Sequence, residues 1–289
     1  MPSRVDLTRR SFLTTLGVAA ASLAWTPTLR AAAPGARKLS RVGLQLYSLR
    51  DDAKRDVERT LADIAAAGYD DVEMLGSFGN FGVPPARLRA VLDKNGLRAP
   101  STHVSGTALD DLDRQLDEGA VLGHQHIIVA SLPIEGKPTL DDYRRWSDRL
   151  NEAGRRARTR DMWVGFHNHA SDFALIDGAV PYDLLAERTD PSFVRLQLDT
   201  GNLAMAGREP LDYMKRFGPR YWSFHIKDVP KLGPTDDAEL GKGVIDFKRL
   251  LASIPDIDRK FMFVEQETYP GTPLESVRRD HAYISALEF

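Results

Sequence analysis

Residues 162–173 read Met-Trp-Val-Gly-Phe-His-Asn-His-Ala-Ser-Asp-Phe. An apolar run this short, breaking off into two imidazoles one residue apart, reads as a buried strand whose end turns polar on one side, because side chains alternate faces along a strand. Val164 and Phe166 share one face. Gly165, His167 and, extrapolating past the strand end, His169 share the other. Polar groups at the C-terminal end of an otherwise buried strand are what parallel α/β sheets carry where they bind ligands.

The pattern recurs along the chain. Strand candidates are Val42 to Ser48, Asp71 to Leu75, Leu97 to His103, His126 to Ala130, Met162 to His167, Val194 to Asp199, Trp222 to His225 and Phe261 to Glu265. Helix candidates between them include Asp56 to Ala67, Pro85 to Asn95, Asp141 to Thr159, Pro181 to Arg188, Pro210 to Phe217 and Asp246 to Ser253, and Gly68 and Gly96 follow their helices as left-handed caps. Strictly alternating strands and helices imply a parallel sheet covered by helices. Eight such units over residues 41–289 predict a single (β/α)8 TIM barrel of the α/β class. An open doubly wound sheet is disfavoured, since the first turn, Leu-Tyr-Ser-Leu-Arg-Asp-Asp, has no glycine-rich phosphate loop.

A barrel makes a test of parity: one face of each strand meets the helices and the other the axis. Leu196 and Leu198 face outward, leaving Arg195, Gln197 and Asp199 inside. Trp222, Phe224 and Ile226 face outward, leaving Ser223, His225 and Lys227 inside. Met262 and Val264 face outward, leaving Phe263, Glu265 and, past the strand end, Glu267 inside. Gln45, Tyr47, Glu73 and His103 complete the inner set. His167, Asp199, His225 and Glu265 therefore stand at the C-terminal ends of four consecutive strands, where barrel enzymes build their sites. Two imidazoles and two carboxylates converging there form a metal constellation, suited to Mn2+, Co2+, Zn2+ or Mg2+ rather than Ca2+. Glu265, Glu267 and His169 are candidates to move a proton, and spacing alone does not separate Glu265 from Glu267 as ligand. Lys227 is placed to stabilise a developing enolate. Tyr47, Glu73, His103 and Asn202 are the candidate substrate contacts. Tyr47, Phe78, Phe81, Phe173 and Trp222 read first as core aromatics, those near strand ends also as sugar-stacking surfaces. Arg50 and Lys54 lack the glycine-rich cradle of a phosphate site.

Gln-Leu-Tyr-Ser-Leu-Arg (45–50), Gly-Tyr-Asp-Asp-Val-Glu (68–73), His-Asn-His (167–169), Leu-Asp-Thr-Gly-Asn (198–202), Phe-His-Ile-Lys-Asp (224–228), Leu-Gly-Lys-Gly-Val-Ile-Asp-Phe (240–247) and Val-Glu-Gln-Glu (264–267) together resemble the sugar phosphate isomerase/epimerase group of xylose-isomerase-like TIM barrels. The resemblance implies one divalent metal held from the last four strands, here by His167, Asp199, His225 and Glu265. It also implies isomerisation or epimerisation of a sugar through an enediolate. Many members have Glu where this chain has His167, which disfavours symmetric two-glutamate chemistry and keeps a second outcome open: elimination from keto-sugars, as in the inosose dehydratases and 3-keto-glycoside lyases. The AP endonuclease branch is disfavoured, because Asn202 and Ala238 stand where further metal-binding histidines are expected. A noncatalytic sugar-binding protein is the alternative of another class.

Residues 1–33 have the layout of an export signal: Arg9 and Arg10 precede an apolar stretch from Phe12 to Trp25, and Ala31 to Ala33 offer a cleavage site. Thr-Arg-Arg-Ser-Phe-Leu (8–13) resembles the twin-arginine signal, which implies a translocase partner and a periplasmic or exported destination; a plain secretory signal is the alternative. Residues 34–40 read as a linker. The apolar stretch is too short for stable membrane anchoring. Without residues 1–33, which carry four arginines against one aspartate, the net charge moves from −2 to −5. No basic run remains to suggest nucleic acid. With no cysteine, thiolate metal sites and disulfides are excluded. The expected partner is a small neutral sugar, since phosphorylated sugars are scarce outside the cytoplasm. Oligomeric state is not encoded in any feature of the sequence.

Overall fold

A computed structural model describes residues 36–289. In it eight strands close a parallel barrel in sequence order: β1 (Gly43–Gln45), β2 (Asp71–Leu75), β3 (Arg98–Ser105), β4 (His126–Ser131), β5 (Trp163–His167), β6 (Val194–Asp199), β7 (Tyr221–Ile226) and β8 (Phe261–Val264). The helices among the described residues are α1 (Arg50–Ala66), α2 (Pro85–Lys94), α3 (Leu112–Leu122), α4 (Leu140–Arg158), α5 (Pro181–Arg188), α6 (Thr200–Met205), α7 (Pro210–Phe217), α8 (Phe247–Ser253) and α9 (Pro273–Ala286). None of them is long and apolar enough to cross a membrane. The expected export signal lies outside the described residues. Of the expected linker, Arg37 exchanges both backbone hydrogen bonds with Phe289, each at 2.9 Å, so this stretch is pinned to the C-terminus.

The predicted barrel is present, and the corrections to it are local. β1 ends three residues early because the Gln45 side chain accepts from Tyr47 N at 3.1 Å and starts a 3-10 turn, which takes Tyr47 off the strand. Helix α1 begins at Arg50 and bends at Asp56, the expected start, whose carboxylate accepts Arg59 N at 2.9 Å and caps the second segment. Gly68 and Gly96 have positive φ, as their caps require. Trp222 escapes its outward parity: Leu196 pairs with Tyr221 but Gln197 with Ser223, leaving Trp222 as the extra residue of a bulge.

Outward residues such as Leu44, Val72, Val164, Leu196, Phe224 and Val264 are buried against the helices. The axis is filled by alternating sizes. A Cβ on Gly43 would lie 2.5 Å from the Phe263 ring, and one on Gly165 2.4 Å from Ile128 Cδ1. These two glycines therefore make room for their bulky inner neighbours.

After β7 the chain is held by buried carboxylates. Asp228 accepts the backbone N–H groups of Val229, Gly241, Gly243 and Ile245 at 2.9–3.2 Å. Asp280 of α9 accepts Leu240 N at 2.8 Å, while its second oxygen has no partner. Burial, then the charges of Glu239 and Asp237, push the Asp280 carboxyl up to about 7. Because this folded value lies above the unfolded one, the contribution of Asp280 to stability is fully present below about pH 4 and is lost as pH rises to 7. Asp280→Asn, which keeps the acceptor for Leu240, is expected to stabilise the fold above pH 7 by on the order of 1–3 kcal/mol, the gain fading toward pH 4. Urea unfolding of both proteins at pH 5 and 8 checks this; a gain independent of pH contradicts the assignment.

Candidate metal centre and cavity

Strand β6 supplies the organising residue of the axis, Gln197. Its amide N–H donates to Glu73 Oε1 at 2.9 Å, so its oxygen must accept from His103 Nε2 at 2.7 Å and His167 Nδ1 at 3.0 Å. This fixes the tautomer of His167: Nδ1 carries the hydrogen, and the Nε2 lone pair points toward Asp199, whose Oδ2 lies 4.0 Å away. Burial, then the neighbouring imidazoles of His225, His103 and His169, hold His167 well below the usual imidazole range. It is neutral, as a ligand must be.

His225 is oriented from the other side. Its Nε2 lies 2.6 Å from Glu73 Oε2, and its Nδ1 faces Glu265 Oε2 at 3.0 Å and Asp199 Oδ2 at 3.7 Å. Burial alone would lower this imidazole, but Glu265 and Glu73 raise it well above its ordinary value, so both nitrogens carry hydrogen. A proton on Nδ1 is what a metal displaces, while Nε2–H to Glu73 preserves the ring orientation. Burial works to raise Glu73 and is outweighed by His103 and His225, which hold it well below the carboxylate range.

Asp199 is aimed by its own helix. As N-cap of α6 it accepts Asn202 N on Oδ1 at 2.7 Å, and the Asn202 amide donates to Oδ2 at 2.9 Å. Asn168 ties the two strand ends together, accepting Asp199 N at 2.9 Å and donating to Asp199 O at 3.2 Å.

One donor atom each from Asp199, His225 and Glu265 lies within 4.8 Å of the others, and the same holds for His103, His167 and His225. Three of the expected quartet, Asp199, His225 and Glu265, form one group, while His167 falls in the other with His103 and the shared His225. Imidazole nitrogens and carboxylate oxygens at this spacing fit a divalent cation of the first transition row or zinc.

Beside the protonated His225 a second cation is present, Lys227, fully buried. Its Nζ lies 2.5 Å from Glu267, 2.9 Å from Glu265 and 3.4 Å from Asp199. Burial lowers it, but Asp199, Glu265 and Glu267 more than restore its charge. Conversely, burial would raise Glu265, and Lys227 and His225 keep it ionised. The two carboxylates that spacing could not separate are separated here. Glu265 is 6% exposed and faces His225, whereas the Glu267 side chain is 39% exposed and faces the mouth.

Above this floor lies a cavity of about 340 Å3, lined among others by Tyr47, Phe78, His103, His169, Asn202 and Glu267. His169 is exposed at its rim, its ring 4.8 Å from that of His167. One expected substrate contact, Glu73, does not line the cavity: its oxygens are taken by Gln45, Ser101, Gln197 and His225. Asn202 lines the wall while its amide N–H2 donates to Asp199. Phe173 and Trp222 do not line the cavity. Sequence reading missed Gln197 as the tautomer-setting group and Asn168 as the strand tie. Inner parity placed the first, but nothing local marks which polar residue carries which hydrogen.

The family model described as xylose isomerase-like TIM barrel matches residues 61–287. Among curated proteins the chain is similar to inosose dehydratase 1 of Bacillus cereus, 25% identical over 184 residues, covering 56% of this chain and 61% of that protein. It is also similar to inosose dehydratase of Lacticaseibacillus casei, 26% identical over 270 residues, 79% of this chain and 89% of the relative. The chain thus spans about three-fifths of the length of the first of these relatives. Among solved structures it resembles a sugar phosphate isomerase/epimerase from Parabacteroides distasonis, with TM-score 0.73, 24% identity and coverage of 84% of this chain and 97% of that one. The IOLI protein with a bound zinc atom matches with TM-score 0.64, 14% identity and coverage of 84% and 95%. At these identities the structures show the fold alone.

Lys227 reaches its carboxylates only because Gly201 has no side chain: a Cβ there would lie 2.4 Å from Lys227 Cγ. Gly201→Ala is expected to destabilise the protein by about 1–3 kcal/mol. Wild-type urea stability in this variant would show that the lysine stem is not confined.

Proposed function

The chain belongs to the xylose isomerase-like TIM barrel family, and from that premise we propose that it is a metal-dependent enzyme of neutral sugars or keto-sugars, a sugar isomerase or epimerase. It takes the proton next to a carbonyl and returns it to carbon. The supporting observation is the cluster of Asp199, His225 and Glu265, with His167 beside it, at the floor of a cavity on the C-terminal face. His167, Asp199, His225 and Glu265 would hold the ion, with Mn2+, Co2+, Zn2+ and Mg2+ the candidates. A divalent ion there supplies Lewis-acid polarisation of the substrate carbonyl and its neighbouring hydroxyl.

The chain's own residues supply the remaining steps. Glu267 at the mouth is the base that removes the α-proton, and it is held in place by Lys227. The buried ammonium stands ready for negative charge developing on the substrate oxygen. His169, exposed at the rim, exchanges the second proton, and Tyr47 and Phe78, edge to face at 6.1 Å, offer an aromatic wall for a sugar ring. With export, the reaction takes place in the periplasm or beyond.

A second reading shares the first half of this chemistry. The acid/base groups are unlike, a carboxylate in Glu267 and an imidazole in His169, and position 167 is an imidazole where a symmetric epimerase has a carboxylate. Together with relatives named inosose dehydratase, this favours elimination, in which Glu267 removes the proton and His169 protonates the departing oxygen.

Purified protein is expected to carry one divalent ion per chain, and His225→Ala to lose it. A metal-free wild type that still binds sugar supports a noncatalytic binder instead. Incubation of free ketoses and 3-keto-glycosides in D2O separates the two reactions: deuterium on the α-carbon of an intact sugar marks isomerisation, and release of an aglycone marks elimination. Glu267→Gln should slow either by at least about 100-fold while retaining the metal; unchanged exchange would remove Glu267 from the base role.

A further inference from the structure

The opposite, N-terminal mouth of the barrel holds a second cavity of about 430 Å3, far in character from the first. Arg195, on the inner face of β6 near its start, projects into it. Its guanidinium carbon lies 3.7 Å from the ring centre of Trp163 and 3.5 Å from that of Trp222, the residue the bulge in β7 has turned inward. Nη1 lies 2.6 Å from Nε2 of His126, a buried imidazole that burial, then Arg195, brings down to about 3 and so keeps neutral. Lys260 stands over the Trp222 ring at 5.5 Å, and Arg158 over Trp163 at 4.3 Å.

Indole faces attract the faces of these cations but accept none of their N–H groups. The edge of Arg195 beyond Nη1 finds no acceptor in the protein, and its Nε is unpaired. Among the described residues Arg195, Arg259 and Lys260 have no carboxylate within 4.0 Å, unlike Arg41 and Arg98, which share Asp71 in the same wall. Asp161 and Asp258 also line the cavity, and among the described residues the only cation within 4.0 Å of either is Arg158, at 4.0 Å from Asp161. Burial and then the charges of Arg158 and Arg259 bring Arg195 down to about 9, so the cluster repels itself. Lys260 spends one N–H on Tyr221 O; the donors that remain on the three neighbouring cations, in a concavity with an aromatic wall, lack one component: a compact anion with several acceptor oxygens.

We propose that the N-terminal mouth binds a small oxyanion of the phosphate or sulfate class, held by Arg195 at its floor and by Arg259 and Lys260 at its rim. The site is separate from the metal centre and does not depend on the reaction assigned to it. Its occupancy closes the uncompensated end of the barrel, so the anion acts as a stabilising ligand.

The test is titration of the full chain with inorganic phosphate by calorimetry, with thermal melting in sodium phosphate against sodium chloride at equal ionic strength. The expected result is saturable binding and a rise in Tm specific to phosphate. Arg195→Met and, separately, Arg259→Gln should each weaken binding by about tenfold. Arg259 is exposed and without an ion pair, so its variant reports on binding if Arg195→Met fails to fold. Equal stabilisation by chloride, or phosphate binding of wild-type strength in the folded variants, overturns the proposal.

Discussion

Glu73, Asp199 and Glu265 all enter the barrel axis almost wholly hidden from water, and ionised carboxylates that close together are tolerable only with compensating positive charge and hydrogen bonds. The structure provides both. Lys227 sits between Asp199, Glu265 and Glu267, and His225 bridges Glu73 to Glu265. Breaking such a pair by removing one partner typically costs about 3–5 kcal/mol, so these residues are not free to vary singly. Two requirements follow for the surroundings. Gly201 must leave room for the lysine stem, and the Asn202 amide must satisfy one lone pair of Asp199 Oδ2.

The same constraint decides which atoms face the cavity. Gln197 can satisfy Glu73 only through its N–H2, which turns its oxygen to His103 and His167 and leaves the His167 Nε2 lone pair uncommitted. Glu73 in turn takes Nε2 of His225 and leaves Nδ1 toward Asp199 and Glu265. One buried carboxylate at the floor thus sets the tautomer of His167 and the ring orientation of His225, neither of which shares a backbone element with it. This is the arrangement by which outer groups orient metal ligands. Glu73 therefore shapes the site through the side chains it orients.

The architecture was legible in the sequence because burial writes itself as period. Apolar outer residues alternating with Arg195, Gln197 and Asp199, or with Ser223, His225 and Lys227, leave few folds able to hide one face and gather the other. Strand ends were less legible where a side chain competed with the ladder: Gln45 capping a turn removed Tyr47 from β1, and the bulge at Trp222 reversed a ring that parity had sent outward. Position along the axis was the other unreadable quantity. Parity put Glu73 and Glu267 on the same face, but only the stagger of the closed sheet sinks the first beneath the cavity and lifts the second to its rim.

That stagger also explains why the two mouths differ. Toward the C-terminal end the inner residues of β6, β7 and β8 are Asp199, His225, Lys227 and Glu265, in which charge is compensated within hydrogen-bonding distance. Toward the N-terminal end the inner set is His126, Trp163 and Arg195, where an arginine is met by π-faces and a neutral imidazole instead of a carboxylate. Placing Asp or Glu beside Arg195 would have neutralised it outright, as Asp71 does for Arg98 across the same opening. Stacking holds the guanidinium in place and, apart from the Nη1 bond to His126, leaves its charge and in-plane donors free for the proposed anion.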